Sequence, residues 1–347
     1  MQTYYTRHGM VRSAAKLTLG LAAVVLSSCD TLNDALDELK KEQEKKDRAI
    51  PEQIDFTQER LYPEGVAFDK GNGRFLVTSL TRGTIGAVAY DGTYKPFIQD
   101  SALQATIGIK VDEARKRVLV AVSNPSLGNV AGLGIYDLRT GGRLEFVNLL
   151  EAGGGPRNFA NDITLDPQGN AYVTNSFSPI LYKVDRNGNA SVFFRNDRFA
   201  TAPGEFGFNG IAYHPAGYLI VAFSKENALY RIPVKDPAEY AKIELDAPLQ
   251  GPDGLLLSND GKQLVVVNNA GGAEAGRVLS FESADKWETG QLAGRFDTGA
   301  VFPTTATSDG KDIFVLYAYL NRLFNPAAPA QNTFTIRKVP FADNRPF

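Results

Sequence analysis

Histidine and cysteine are nearly missing from this chain: His8 and His214 are the only two of the first, and Cys29 is the only one of the second. So small a supply excludes most His-based zinc sites and any His–His dyad in the mature protein. A lone cysteine also leaves no disulfide framework. Charge of one sign is missing too. Lysine plus arginine (37) almost balance aspartate plus glutamate (39), for a net charge of −2, so bulk electrostatics give no footprint for nucleic acid. There is no G-x-S-x-G elbow, no phosphate loop and no cysteine pair, which removes the usual supports for a serine nucleophile or nucleotide binding.

What is present is glycine, 33 residues of it, between short apolar runs. That composition suits an all-β chain. The N-terminus stands apart as a targeting segment. Arg7, His8, Arg12 and Lys16 precede an apolar stretch from Leu17 to Leu26, too short for the roughly 20 residues that span a bilayer. The run ends Leu26-Ser27-Ser28-Cys29, which resembles a bacterial lipobox, where cleavage before the cysteine is coupled to lipidation of its thiol. An ordinary secretory signal or a short anchor is the alternative. Residues 1–28 are expected to be a signal peptide and 29–50 a lipid-attached, charged tether, with a partner-binding helix as the alternative for the tether. Residues 51–347 form the folded domain. The localisation that follows is the bacterial cell envelope, with Cys29 as the membrane contact.

The domain repeats. Segments starting at Pro63, Thr106, Ala160, Phe208, Pro252 and Val301 align, with Glu64, Ile107, Asn161, Asn209, Asp253 and Phe302 at one shared position. Intervals of about 43 to 54 residues fit four-stranded blades, so the expected fold is an all-β, six-bladed β-propeller. The third unit shows the pattern most cleanly: strands from Asp162, Ala171, Ile180 and Ala190, the last two joined by the turn Arg186-Asn187-Gly188-Asn189. The last unit lacks a fourth strand, and Ile54 to Gln58 is expected to supply it and close the ring. The loops near 124–134, 269–276 and 320–331, and the connection 151–160, should rim one face.

The shared position falls on one circle at that face. Glu64 and Asp253 would bring two carboxylates into a narrow channel, where burial and like charge both oppose ionisation. Asn161 and Asn209 add amide oxygens. Such a hard, all-oxygen set suits a divalent metal, Ca2+ before Mg2+ or Zn2+. Each residue alone reads more readily as a turn former; the set of four carries the reading. Ile107 and Phe302 would be apolar wall. Arg157 is a candidate to meet substrate or a solvated surface residue, and Asp162 is a supporting residue or a turn former. Asn124, Asn175, Asn268 and Asn269 end second strands on the same face. His214 should sit on the opposite face as a structural residue.

These motifs resemble the senescence-marker-protein/gluconolactonase (regucalcin-like) family, to which paraoxonase and diisopropylfluorophosphatase are related in architecture. The matching residues are Glu64 in PEGVAF, Asn161 in ANDITLD, Asn209 in FNGIAYH and Asp253 in GPDGLLL. The resemblance implies a catalytic divalent metal, usually calcium, in the central channel. Sugar-lactonase members often carry an arginine two residues before the N-D asparagine, where this chain has Phe159, and the histidine pair of the paraoxonase type has no counterpart. The implied activity is metal-dependent hydrolysis of a small-molecule lactone or a related, more apolar ester, with Asp253 as general base or nucleophile. The rival reading is a non-catalytic propeller lipoprotein that binds a ligand or protein partner through the same face, since propellers host many functions.

Overall fold

Short apolar strands separated by Asp/Asn-Gly turns pair with their sequence neighbours, because two- to four-residue turns leave antiparallel hairpins as the only reachable arrangement. In the computed structural model, which describes residues 49–270, 275–341 and 347, this pairing yields six sheets, antiparallel except at one outer edge, arranged as the blades of a propeller. The expected signal peptide, Cys29 and most of the charged tether lie outside the described residues.

Blade one comprises Val66–Asp69, Arg74–Val77, Thr84–Val88 and Tyr94–Gln99, and blade two comprises Ala105–Asp112, Arg117–Ser123, Ala131–Asp137 and Arg143–Asn148. Blade three runs Ala160–Leu165, Ala171–Asn175, Ile180–Val184 and Ala190–Arg195, within two residues of the expected bounds at every start. Blade four is Phe208–His214, Tyr218–Phe223, Ala228–Pro233 and the two-residue Ala241–Lys242. Blade five is Pro252–Leu257, Gln263–Asn268, Gly276–Glu282 and Thr289–Gly299, with Glu244–Leu245 added in parallel at its outer edge. That fifth strand is a departure from the four-stranded expectation, built from two residues that carry no periodicity of their own.

Blade six takes Pro303–Ser308, Ile313–Tyr317 and Thr333–Val339 from the C-terminal end and Gln53–Thr57 from the N-terminal end. The closing pair runs from Gln53 opposite Arg337 to Thr57 opposite Thr333. Ile54 and Phe56 face inward and are buried while their neighbours are exposed. Phe56 packs on Phe334 at 5.9 Å and lies parallel to Tyr94 at 6.3 Å, so the closing strand also grips blade one.

Between blades the packing is aromatic. Phe199, in the connection from blade three to blade four, is fully buried against Phe208 (4.9 Å), Phe223 (5.1 Å) and Tyr230 (4.9 Å). That anchor fixes where the rest of the connection, including Phe206, emerges at the channel mouth. At the other end of the inner strands one position serves each hairpin as a cap. Asp69 accepts from the Asn72 amide, Asp166 from the Asn170 amide, and Ser258 from the Gln263 amide.

Candidate functional site

The shared position owes its inward direction to a defect in pairing. In blades two to six the ladder between the first and second strands breaks near the start of the inner strand, between Thr106 and Ile109, Ala160 and Ile163, Phe208 and Ile211, Pro252 and Leu255, and Pro303 and Ala306. A bulge of this kind re-aims side chains locally. Here it turns Ile107, Asn161, Asn209 and Asp253 out of the sheet plane, while Glu64 holds the matching place in blade one. The same register gives Thr304, not Phe302, as the blade-six member. The expected alignment was off by two residues there, and Phe302 instead lies just outside the strand with a left-handed backbone (φ 50°). Thr304 adds nothing to the polar ring: its Oγ1 donates to the Glu64 carbonyl at 2.6 Å, as Thr305 Oγ1 does at 2.9 Å.

The residue after the shared position leans on the next blade. A Cβ at Gly108 would overlap the Asn161 carbonyl, and one at Gly210 would overlap the carbonyl of Asp253. Only glycine tolerates such backbone proximity. Blade three has Asp162 in this place, and its carboxylate accepts from the amides of Ile163 (2.8 Å) and Ile211 (3.1 Å). Asp162 is therefore a strut between blades three and four.

Four of the ring side chains are polar and buried: Glu64, Asn161, Asn209 and Asp253. Their orientations are set from behind. Ser176 Oγ donates to the Phe208 carbonyl at 2.6 Å, so it can only accept from Asn161 Nδ2 at 2.9 Å. Ser224 Oγ donates to the Pro252 carbonyl at 2.8 Å and accepts from Asn209 Nδ2 at 3.2 Å. Each serine holds an amide group by its nitrogen and leaves its oxygen aimed elsewhere. Glu64 Oε2, Asn161 Oδ1 and Asn209 Oδ1 are buried without any hydrogen-bond donor. Unsatisfied buried acceptors are expensive, and three of them make the floor rich in acceptors and poor in donors.

The carboxyls register the same deficit. Glu64 is pushed well above the usual range by burial, then by Asp253 and Asp162. Asp253 is raised to about 8, first by burial, with hydrogen bonds from Asn269 and Asn209 opposing and the charge of Asp162 adding to it. Asp162 is raised to about 6 by burial, offset by its two amide donors and by Lys110. Lys110, an inner-strand residue of blade two, is lowered by burial and partly restored by Asp162. Among the described residues no three His, Cys, Asp or Glu side chains group as a metal cage. The donor set is half amide, which suits a hard, oxygen-preferring ion of flexible geometry such as calcium rather than zinc or copper.

Above the ring opens a cavity of ≈ 1140 Å³. Glu64, Asn161 and Asn209 are at its floor, and Asn269 bridges to Asp253 through Nδ2 and Oδ2 at 2.7 Å. Of the expected rim, Pro125 and Ser126, Arg157, Asn269 and Ala270, and Leu320 with Leu323 all line it. Ile107 and Phe302 also line it. Phe159 is buried and packs on Phe177 (5.1 Å) and Phe206 (5.7 Å). Phe206 comes from a connection that the sequence pattern did not assign to the rim. Asn175 does not line the cavity but holds the Phe159 amide and the Asn158 side chain in place.

His214 is remote from all this. It occupies the hairpin-capping position, stacks on Tyr218 at 4.1 Å, and accepts from the Ala216 amide through Nδ1. Its Nε2 therefore carries the proton and donates to the Gly261 carbonyl at 3.1 Å. Burial lowers its basicity, and it has no part in the channel.

Fold and ring together define a six-bladed β-propeller with an acceptor-rich central channel. Solved structures of similar architecture include Mala s 1, the major allergen of Malassezia sympodialis, with TM-score 0.68 and 19% identity over 85% of this chain and 97% of that one. A luciferin-regenerating enzyme matches with TM-score 0.59 and 13% identity over 85% and 98%. A gluconolactonase from Xanthomonas campestris matches with TM-score 0.57 and 15% identity over 83% and 89%. At these identities the likeness is one of fold. No family profile and no curated protein matches the sequence.

Proposed function

We propose that this propeller is a metal-dependent hydrolase of a lactone or related ester, with Glu64, Asn161, Asn209 and Asp253 holding a divalent ion, calcium by preference. The observation that carries the reading is the trio of buried, donorless oxygens on Glu64, Asn161 and Asn209. Bound there, the ion supplies Lewis acidity toward a carbonyl oxygen. The protein supplies the rest. Asp253, steadied through Oδ2 by Asn269, takes a proton from water as the water oxygen bonds to the carbonyl carbon. The carbon–oxygen bond to the leaving alkoxide then breaks, and the proton returns to that oxygen, leaving a hydroxy acid. Asn161 and Asn209, locked by their serines, position without exchanging protons. The aromatic and aliphatic walls exclude bulk water and favour an apolar substrate over a sugar.

A ligand-binding propeller without turnover is the second reading, favoured by the exposed Phe324 and Leu127 at the rim. A panel of alkyl lactones, aldonolactones and aryl esters, assayed with chelator and with added calcium, separates the two. Calcium-restored hydrolysis supports the enzyme; binding of the same compounds without hydrolysis, at verified metal occupancy, replaces it with the binding module. We also propose that Cys29 anchors the chain to the bacterial envelope. Membrane fractionation of a Cys29→Ser protein tests this, and retention in the membrane after cleavage elsewhere would refute it.

A further inference from the structure

We infer that the cavity selects a substrate bearing both an aryl or similarly flat apolar arm and an anionic group, with Phe177 and Phe206 clasping the arm and Arg157 receiving the anion. This rests on the hydrolase reading for the chemistry at the floor, but not for the recognition above it. Two observations carry it. The first is the geometry of Phe159, Phe177 and Phe206, which form a closed triangle with ring separations of 5.1, 5.7 and 5.3 Å. Phe159 is buried behind, while Phe206 is 40% exposed and lines the cavity with Phe177. Exposed aromatic edges beside a deep cavity offer a flat ligand the offset or edge contacts that aromatic groups prefer.

The second observation is the state of Arg157. Its guanidinium sits over the Phe177 ring at 4.7 Å and lines the cavity. Ser178 Oγ donates to its backbone carbonyl at 2.5 Å, which fixes where the side chain starts. Among the described residues the guanidinium's recorded contact is the Phe177 ring, with no carboxylate and no hydrogen-bond acceptor paired to it. A stacked guanidinium keeps its in-plane donors free for a bidentate anion. A sugar lactone would present hydroxyls to this wall, where Phe159, Phe177 and Phe206 offer none a partner. A cavity of ≈ 1140 Å³ is also larger than a single sugar ring fills.

Calorimetric titration of the calcium-loaded protein tests this with three probes: 4-phenylbutyrate, the uncharged 4-phenylbutanol, and butyrate. Phenylbutyrate should bind about tenfold more tightly than either of the others, the usual worth of a charge-assisted bond. Arg157→Gln should abolish the advantage over phenylbutanol while retaining the advantage over butyrate. Phe206→Ala should do the reverse, and Phe206→Leu serves as its milder partner at this partly exposed position. Equal binding of acid and alcohol, or an acid advantage that survives Arg157→Gln because the carboxylate sits on the ring ion, overturns the inference. Because these are equilibrium measurements, they are independent of turnover. Probe recognition without any lactone hydrolysis would sink the hydrolase reading and keep this one, whereas calcium-dependent hydrolysis indifferent to arm and charge would do the opposite.

Discussion

Asn269 donates through Nδ2 to Asp253 Oδ2 at 2.7 Å, from the position that in blades three and four belongs to Ser176 and Ser224. The substitution of a longer amide for serine changes what is held: a carboxylate oxygen rather than an amide nitrogen. Removing that bond in Asn269→Ala should raise the Asp253 pKa further, because the bond favours the charged form. The acidic limb of the pH–rate profile should move upward, and activity near neutrality should fall by roughly 10- to 100-fold, the usual effect of losing such support. An unmoved limb would show that Asn269 only lines the wall.

Asp253→Asn keeps an oxygen in the ring but removes the base. Turnover should fall by about 10² to 10⁴ while part of the metal affinity remains. Asn209→Asp adds charge without removing an oxygen and should damage ion binding less. His214→Ala, on the opposite face, should leave hydrolysis nearly unchanged in whatever fraction folds. Metal content and initial rates measured side by side decide this; a fully active Asp253→Asn protein would place the chemistry on other residues.

The raised carboxyls make stability depend on pH in a set direction. Glu64 is raised by burial, and Asp253 to about 8, so between the ordinary carboxylate range and about pH 8 the metal-free folded protein retains protons that the unfolded chain has released. Stability is then present at low pH and declines as pH rises through that window. Calcium should reverse the trend, since it binds the ionised ring, and should add roughly 2.7 kcal/mol at 100 times its dissociation constant. Urea midpoints at pH 5 and pH 8, with chelator and with calcium, give the four values needed. Parallel behaviour in both conditions would mean the ring does not take the ion.

Closure of the propeller rests on Phe56. Truncation in Phe56→Ala removes a fully buried ring that touches both Phe334 and Tyr94 and should cost about 3–5 kcal/mol. A loss below 1 kcal/mol in equilibrium denaturation would indicate that the N-terminal strand is not needed to hold blade six.

Much of this was legible from the residues because blade grammar is local. Alternation, Asp-Gly and Asn-Gly turns and a fixed period placed all four strands of blade three and the closing strand. Asn161, Asn209 and Asp253 each stand second in their inner strands and Glu64 stands just before its own, so the repeat alignment brought the four to one level. Blade six escaped for a physical reason. Thr304 reads as an ordinary strand residue, yet the proline before it, Pro303, repeats Pro63 and Pro252 and was the available signal. Ser176 and Ser224 were invisible one at a time, since serine after a strand is commonplace; only with Ser123, whose Oγ donates to the Ala160 carbonyl, do they form a series. Lys110 and Phe206 act through side-chain contacts with the adjoining blade, on Asp162 and on Phe159 and Phe177, which a pattern along the chain does not state.

The glycines behind the ring act as spacers whose thickness is zero. Because Gly108 and Gly210 press bare backbone against the carbonyls of Asn161 and Asp253, the bore of the channel at these blades is set by backbone contact, and no side chain is left there to trim. A change at one blade would be handed around the circle to the others. The floor therefore behaves as a fixed gauge, insensitive to what enters above it, and variety in ligand preference has to be written in the loops: in the reach of Phe206, the tilt of Arg157 and the small helix Leu320–Leu323. Engineering this protein toward a new substrate should begin at those loops and leave the gauge alone.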